Sequence, residues 1–561
     1  MRLRVILLLS ATLLAQQASA QTADLRTRAE ISNYEETSTY ADVMRVIDGL
    51  AATGGSLVHT ESFGKTEEGR DLPLIVISNP KVTTPAAAHK LGRPLVFVQA
   101  NIHAGEVEGK EAILKLARRL VSGDLRPMTR QMVFLIAPNY NADGNEKVSP
   151  MNRTAQYGPV NGVGTRENSK GLDLNRDYMK LDTAEARSLI GLMNKWDPHV
   201  SVDLHTTNGS YHAYHLTYSP TLNPNADPRL IEFTKTRMLL PIRQAMLKTH
   251  NWRTYDYGNF APEDGGGRES SRVDPANPGN VTWRTFDHRP RFGNNYVGLR
   301  NRIAILSEAY SYLDFKGRVD VTEDFVEEIY KSVQANAKQI MTLTAQADRM
   351  FTAANGPSNS PRASNPIELG VDFSISSSAD KVDIMVGDVT KVPNEKSGRE
   401  MLAMAPLAAP VPMREYVTFT ATRTLPLPKG WIIPKALAES PRLAATLDRL
   451  RWHGVKTQEV VGEMQLAVER FTIADMTRAP RAFQGRQETR LKGAFDRIQL
   501  TVEAGSVFIP SNQPLARLAF YLLEAESDDG LVTWNVIDEG LATGQTYPIY
   551  RVVDTRAIKT R

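Results

Sequence analysis

Short apolar runs alternate with amphipathic stretches between residues 36 and 350 of the chain. The amphipathic stretches place apolar residues three and four positions apart, which predicts helices, and the short apolar runs predict strands. Predicted helices cover residues 36–51, 108–122, 182–195, 226–249 and 320–350, and predicted strands cover residues 72–78, 94–100, 132–137, 200–204 and 303–306. Strands that alternate with helices predict an α/β fold, in which helices lie on the faces of a β-sheet.

A segment rich in proline, serine, asparagine and glycine follows, with the sequence "TAANGPSNSPRASNP" at residues 352–366. This composition is typical of a linker. It separates a first domain at residues 21–351 from a second at residues 367–561. In the second domain, predicted strands cover residues 380–389, 415–425, 466–473 and 497–509, and one helix is predicted from Ser440 and Pro441 to Gly454. We therefore expect an accessory domain that is mostly β with some helix, and its role stays open.

The first twenty residues have the pattern of a signal peptide. Arg2 and Arg4 form a basic start, residues 5–15 are apolar, and Ala18-Ser19-Ala20 matches a cleavage site. A membrane anchor needs about 20 consecutive apolar residues, which this segment does not contain. We therefore predict export to the periplasm or the extracellular space, with cleavage after residue 20 and no membrane span.

Composition narrows the chemistry further. At 561 residues the chain is too long for one core. Removal of the predicted signal peptide lowers the net charge from +4 to +2, so nucleic acid is not an expected partner. The chain has no cysteine, and any bound metal must be held by histidine or carboxylate side chains.

Four candidate residues follow predicted strands of the first domain. His103 and Glu106 come just after the strand at 94–100, His205 directly follows the strand at 200–204, and Glu308 follows the strand at 303–306. Ligands of open α/β sheets bind beyond the carboxyl ends of the strands, so these side chains are expected to converge. Any one of them alone could be an ordinary buried residue.

Two imidazoles and one carboxylate form a ligand set typical of catalytic zinc, which keeps one position open for water. Glu308 would then be a carboxylate that does not bind the metal and acts as general base and acid. His212 and His215, in "NGSYHAYHLTY", are alternatives to His205 as the third ligand.

The segment "GLDLNRDY", residues 171–178, is a second candidate for binding chemistry. A guanidinium group matches a carboxylate with two hydrogen bonds, so Asn175 and Arg176 are candidates to bind a substrate carboxylate. Asp173 is a candidate acceptor for the N–H group of a ligand imidazole. The alternative is that this segment is only a polar loop.

Taken in order, these motifs resemble the zinc carboxypeptidase family, the carboxypeptidase A-like metallopeptidases. The motifs are His103-x-x-Glu106, Asp173-x-Asn175-Arg176, Asp203-Leu204-His205 and Glu308. Residues 64–78 are similar to the hairpin and strand before the zinc loop of that family, and residues 137–146 are similar to its Pro-x-x-Asn-x-Asp-Gly segment. The resemblance covers roughly residues 36–345 and is to a bacterial, exported type with an extra C-terminal domain.

The resemblance implies a mixed β-sheet flanked by helices and one zinc ion per chain. The implied zinc ligands are His103, Glu106 and His205. Glu308 would act as general base and acid, and Asp173 would orient His103. Asn175 and Arg176 would hold the free C-terminal carboxylate of a peptide or protein substrate, so the implied activity is that of a metallocarboxypeptidase.

Some implied roles stay open. The family uses an arginine to stabilise the oxyanion, and Arg153 is preferred here over Arg166. A family tyrosine closes over the substrate, and Tyr255, Tyr257 and Tyr296 are all candidates.

Two rival functions also remain. One is a zinc deacylase or amidase that acts on an acylated amino acid or a cell-wall peptide. The other is an inert domain that binds peptide or glycan. The intact zinc set and Glu308 count against this second alternative. Oligomeric state and the preferred C-terminal residue are not predicted; Arg300 and Arg302 could favour an acidic residue or could be surface ion-pair partners.

Overall fold

The computed structural model describes residues 24–207, 209–263, 271–352 and 367–561. The predicted signal peptide lies outside the described residues, as does the predicted linker from residue 353 onward. Within the described ranges, each helix is too short or too polar to cross a membrane. The domain boundaries given above stay predictions.

The elements of the first part of the chain alternate largely as predicted. The strands are β1 (Val58–Lys65), β2 (Asp71–Ile77), β3 (Leu95–Ala100), β4 (Val133–Ala137), β5 (Val200–Thr207), β6 (Leu216–Pro220), β7 (Thr254–Asp256), β8 (Asn259–Pro262), β9 (Val281–Arg284) and β10 (Ile303–Tyr310). The helices are α1 (Arg28–Ile31), α2 (Tyr40–Thr53), α3 (Pro85–Lys90), α4 (Glu108–Ser122), α5 (Ala142–Asn145), α6 (Ala184–Trp196), α7 (Pro228–Phe233), α8 (Leu240–His250), α9 (Gly293–Leu299) and α10 (Phe315–Thr352). A π-helical segment, Thr234–Leu239, joins α7 to α8, and two short 3-10 helices are Arg126–Arg130 and Leu174–Arg176.

Eight of these strands form one mixed sheet in the order β1-β2-β4-β3-β5-β10-β6-β7. The pairs β1–β2, β2–β4 and β6–β10 are antiparallel, and the other pairs are parallel. The carboxyl ends of β3, β5 and β10 therefore lie at the same edge of the sheet. This arrangement confirms the predicted fold class.

Helices cover both faces of this sheet. On one face, α2, α4, α8 and α10 bury their apolar sides, with Leu114 and Phe325 in the same core as Val98. On the other face, Trp196 of α6 shares a core with Phe97. Because both faces are buried, β4 and most of β3 are apolar, which is why they appear in the sequence as nearly continuous apolar runs.

Helix ends follow the capping residues. Thr39 and Asp42 form a capping box, so α2 begins at Tyr40 and not at the predicted residue 36. In the second part of the chain, the predicted helix is found at Pro441–His453 and ends at Gly454, whose φ of 79° favours glycine.

The second part of the chain is mostly β, as predicted. Its strands are β11 (Glu368–Ser377), β12 (Val382–Val386), β13 (Val389–Asn394), β14 (Arg399–Met404), β15 (Ala409–Met413), β16 (Glu415–Pro426), β17 (Gly430–Ile433), β18 (Gln458–Glu459), β19 (Met464–Arg478), β20 (Thr489–Val502), β21 (Val507–Pro510) and β22 (Tyr550–Val552). Its helices are α11 (Lys435–Ala438), α12 (Pro441–His453) and α13 (Ala516–Leu523).

This C-terminal region packs closely against the first part. Strand β16 pairs in parallel with β9, so one four-stranded sheet, β11-β16-β9-β8, contains strands from both parts. Leu450 of α12 and Phe520 of α13 belong to the same apolar core as Trp196 of α6. The C-terminal region therefore covers one helical face of the large sheet.

Candidate active site

The loop after β3 brings His103 and Glu106 to the carboxyl edge of the sheet. Asn101 has a positive φ of 65°, which turns the chain at the end of the strand. The Glu106 amide donates a hydrogen bond to the His103 carbonyl oxygen at 2.9 Å. A Cβ atom on Gly105 would lie 2.5 Å from the Arg153 side chain, so glycine permits this close approach.

His205 and Glu308 are register partners on the neighbouring parallel strands β5 and β10. Side chains at the same register position of adjacent strands lie on the same face of a sheet. Both residues lie inside their strands, since the pairing continues to Thr207 and Tyr310. The strands predicted to end at residues 204 and 306 were thus too short.

His103, Glu106 and His205 form a tight cluster. One ligand atom from each lies within 4.8 Å of the other two, and no other such group of histidine or acidic residues occurs among the described residues. His103 Nδ1 lies 3.3 Å from His205 Nδ1 and 3.1 Å from Glu106 Oε1, and His205 Nδ1 lies 3.0 Å from Glu106 Oε2. Each of the three residues is only 3% exposed.

A carboxylate lies at the far nitrogen of each imidazole. His103 Nε2 is hydrogen-bonded to Asp173 Oδ1 at 3.0 Å, and Asp203 Oδ2 lies 3.0 Å from His205 Nε2. Burial works against a charged Asp173, but His103 and two arginines lower the pKa of Asp173 well below its usual value. A proton on Nε2 leaves the lone pair of Nδ1 free to bind a metal ion. The cluster therefore fits a zinc ion bound by two imidazoles and a carboxylate.

Glu308 lies beside the cluster without belonging to it. Burial raises the pKa of the Glu308 carboxyl to about 8, and the charge of Glu106 acts in the same direction, while His205 and Arg166 oppose it. A carboxyl group with such a pKa can accept and return a proton near neutral pH.

The two candidate arginines make different contacts. Arg153 Nη1 donates to Glu106 Oε1 at 3.0 Å and Nη2 donates to the Thr206 carbonyl oxygen at 3.2 Å, and the residue lines a separate depression with Tyr312. Arg166 donates to Asp173 Oδ2 at 2.9 Å and lines the cavity around the cluster.

The segment predicted to bind a carboxylate forms the wall of the same cavity. Asp173 Oδ1 accepts a hydrogen bond from the Asn175 amide at 2.8 Å and so caps the short helix Leu174–Arg176. Asn175 Oδ1 accepts from the Gly293 amide at 3.0 Å, and the Arg176 guanidinium lies 4.2 Å from the centre of the Phe292 ring. These contacts fix both side chains before any ligand binds.

One cavity of about 400 Å³ joins all these groups. Its lining residues are His103, Glu106, Arg166, Asn175, Arg176, Asp203, His205, Thr206, Thr207, Tyr257, Phe286, Asp287, Phe292, Asn294, Leu306 and Glu308. The cavity thus combines a possible metal centre, a base and a carboxylate-binding pair.

The structure distinguishes the alternative metal ligands and the candidate tyrosines by their positions. His212 packs against the Tyr310 ring, and His215 Nδ1 accepts from the Arg253 amide, so neither joins the cluster. Tyr257 lines the cavity, whereas the Tyr255 hydroxyl donates to Glu415 and the Tyr296 hydroxyl bonds His453.

Sequence reasoning missed the contribution of the C-terminal region. Gln484 Oε1 accepts a hydrogen bond from the Asp173 amide at 2.8 Å. His288 and Arg291, which lie within the segment 286–292 that lines part of the cavity, are paired with Asp528 at 2.9 Å and with Asp529 at 2.7 Å. Partners so distant in sequence carry no local signal, because only the fold brings them together.

Comparisons with known proteins show which proteins this chain is similar to. The zinc carboxypeptidase family model matches residues 43–262. Carboxypeptidase 2 of Trichophyton tonsurans is 24% identical over 521 residues, which cover 90% of this chain and 84% of the relative. Mouse carboxypeptidase Z is 33% identical over 150 residues, which cover 26% of this chain and 21% of the relative.

Among solved structures, carboxypeptidase A from Helicoverpa armigera matches 56% of this chain and 75% of its own, with a TM-score of 0.37 and 15% identity. A metallo-carboxypeptidase from Burkholderia cenocepacia matches 51% of this chain and 69% of its own, with a TM-score of 0.35 and 15% identity.

Proposed function

Residues 43–262 form a zinc carboxypeptidase domain and the chain is a metallocarboxypeptidase, and on this premise we propose that it uses one zinc ion to release single residues from the free C-termini of peptides or proteins. The observation that carries the proposal is the shared cavity, which is lined by Glu308, by the His103, Glu106 and His205 cluster and by the carboxylate-binding pair.

The proposed zinc ligands are His103 Nδ1, His205 Nδ1 and the Glu106 carboxylate. When bound, zinc supplies a Lewis acid that polarises a carbonyl group and lowers the pKa of water. Asp173 holds the His103 ring through a hydrogen bond to its far nitrogen, which fixes the direction of Nδ1, and Asp203 lies 3.0 Å from the far nitrogen of His205.

Glu308 is the proposed general base and acid. Its carboxylate removes a proton from the attacking water molecule and then delivers that proton to the amine of the departing residue. The position of Glu308, as register partner of His205, keeps its carboxyl group close to the cluster without making it a ligand.

Asn175 and Arg176 are the proposed binding residues for the substrate's terminal carboxylate. The Arg176 guanidinium, ordered against Phe292, presents two parallel N–H groups to a carboxylate. This anchor places the last peptide bond, and not an internal one, beside Glu308.

For the oxyanion we propose Arg166 in preference to Arg153. Arg166 lines the cavity, while Arg153 is held by Glu106 and the Thr206 carbonyl oxygen. A guanidinium aimed at the developing negative charge stabilises the transition state. Tyr257, which also lines the cavity, is the proposed tyrosine that closes over the substrate.

Mass spectrometry of a peptide library incubated with the zinc-loaded chain tests this proposal. We expect release of single C-terminal residues that stops when a chelator is added and returns with zinc. Hydrolysis confined to N-acylated amino acids or to cell-wall peptides would replace the proposal by the deacylase alternative. Absence of any product would leave a binding domain.

We also propose that residues 1–20 direct export and are removed. Sequencing of the mature chain purified from outside the cytoplasm is expected to begin at Gln21. A mature chain that retains Met1 inside the cell would contradict this.

A further inference from the structure

We propose that the cavity selects substrates whose C-terminal residue is basic, lysine or arginine, and that Asp203 receives the basic side chain. This inference rests on the proposed function, because it concerns the substrate side chain that the same cavity would hold.

The charges that line the cavity support this preference. In the proposed function, Arg166 stabilises the oxyanion and Arg176 binds the terminal carboxylate. Glu106 binds the metal and Glu308 transfers the proton. The charged side chains that remain in the lining are both acidic, Asp203 and Asp287. No cation of the lining is left to pair with an acidic substrate side chain.

Asp203 itself has an unused acceptor. It lies on β5 two residues before His205 and is only 7% exposed. Its Oδ2 atom lies 3.0 Å from His205 Nε2, but neither carboxylate oxygen has a hydrogen-bond partner among the residues that the structure describes. A buried carboxylate oxygen without a donor is costly, and a substrate ammonium or guanidinium group would satisfy it.

A second buried acceptor adjoins Asp203. Gln99 of β3 is the register partner of Asp203 and is 3% exposed. Its Nε2 group donates to the Tyr178 hydroxyl at 2.8 Å, which leaves Oε1 without a partner within the described ranges. Gln99 and Asp203 also line a small internal void of about 10 Å³. Two neighbouring acceptors suit a side chain that carries several N–H groups.

Asp287 contributes less, because it already has a counter-ion. Arg289 donates to Asp287 from Nε at 2.6 Å and from its own amide at 2.9 Å. We therefore assign the specificity to Asp203, with Asp287 adding only to the negative potential of the cavity.

The arginines that could have favoured an acidic residue lie elsewhere. Arg300 donates to Asn194 and to the His453 carbonyl oxygen. Arg302 is paired with Asp197 at 2.6 Å and with Asp348 at 3.0 Å. Neither lines the cavity.

The test compares the zinc-loaded full chain with its Asp203→Asn variant on N-blocked dipeptides that differ only in the last residue: Arg, Lys, Leu, Phe or Glu. We expect kcat/KM for Arg and Lys to exceed that for Leu and Glu by about 10- to 100-fold, the usual effect of a hydrogen bond to a charged group. Asp203→Asn should remove most of this ratio. Asp496→Asn, which deletes an exposed carboxylate of the β19–β20 hairpin, is the control and should leave the ratio unchanged.

Because Asp203 also lies against His205, zinc content is measured in each variant. A binding measurement tests the inference even if a variant loses turnover. Free arginine and free leucine are titrated against the zinc-loaded proteins, and the tighter binding of arginine should disappear in Asp203→Asn.

Two results would overturn the inference while the carboxypeptidase activity stands. One is a preference for Leu, Phe or Glu. The other is an Arg-to-Leu ratio of kcat/KM and an arginine affinity that both stay unchanged in Asp203→Asn. Failure to release any C-terminal residue would instead overturn the proposed function and this inference with it.

Discussion

Replacement of Asp529 by alanine tests whether the C-terminal region holds the substrate cavity in shape. Asp529 is fully buried and accepts hydrogen bonds from the Arg291 amide at 2.6 Å, from Arg291 Nε at 2.8 Å and from Trp534 Nε1 at 3.0 Å. Arg291 directly precedes Phe292, against which the Arg176 guanidinium packs. The change therefore removes an anchor next to the proposed carboxylate-binding residue.

The magnitude follows from burial. Deletion of one partner of a buried ion pair costs about 3–5 kcal/mol, because the other charge is left without compensation. Glu488 stays close to Arg291 Nη1 at 2.5 Å, so we expect a loss of about 3 kcal/mol, the low end of that range. In a thermal scan of a chain of this length this corresponds to a midpoint lower by about 3 °C.

The assay combines that scan with steady-state kinetics at equal zinc content. We expect kcat/KM to fall about 10- to 100-fold through a higher KM, since a displaced Phe292 loosens Arg176. Asp496→Ala, which breaks an exposed pair with Arg470 in the same region, is the matched control and should change neither quantity measurably. An Asp529→Ala protein with the wild-type midpoint and KM would refute the reasoning.

The remaining predictions concern the metal centre and the buried histidines. Glu308→Gln should lower kcat about 10²- to 10⁴-fold with zinc still bound, and loss of zinc in this variant would mean that Glu308 is a ligand. Asp173→Asn should weaken zinc binding about 10- to 100-fold, measured by competition with a chelator, and unchanged affinity would contradict the role given to Asp173. Arg166→Lys should lower kcat more than Arg153→Lys in steady-state assays, and the reverse order would return the oxyanion role to Arg153. Burial lowers the pKa of His453 to about 3, so its contribution to stability is complete above pH 6.5 and is lost as the pH falls toward 3, by about 1.4 kcal/mol per pH unit. His453→Gln should therefore show a shallower decline of unfolding free energy with acid, and an identical decline would exclude His453 as the cause.

The sequence predicts the large sheet well because its strands are buried on both faces. A strand such as β4 then appears as an uninterrupted apolar run, and the helix between two such runs has its own caps and periodicity. The clustering of His103, Glu106 and His205 was predictable because the carboxyl ends of parallel strands must meet at one edge.

The sequence does not predict contacts that depend on the packing of distant segments. Nothing near Asp173 in the sequence points to Gln484, and nothing near Asp203 shows that its Oδ1 atom lacks a donor. The sequence alone also gives no firm choice between Arg153 and Arg166, because both arginines lie in irregular loops whose direction is set by tertiary contacts.

The central claim is that one zinc ion binds between His103, Glu106 and His205 while Glu308 stays free. Anomalous diffraction at the zinc edge from crystals of the zinc-loaded chain tests it most directly. We expect a single peak about 2.0–2.2 Å from His103 Nδ1, His205 Nδ1 and the Glu106 carboxylate, with Glu308 outside bonding distance. A peak at another set of residues, or one that includes Glu308 as a ligand, would contradict it.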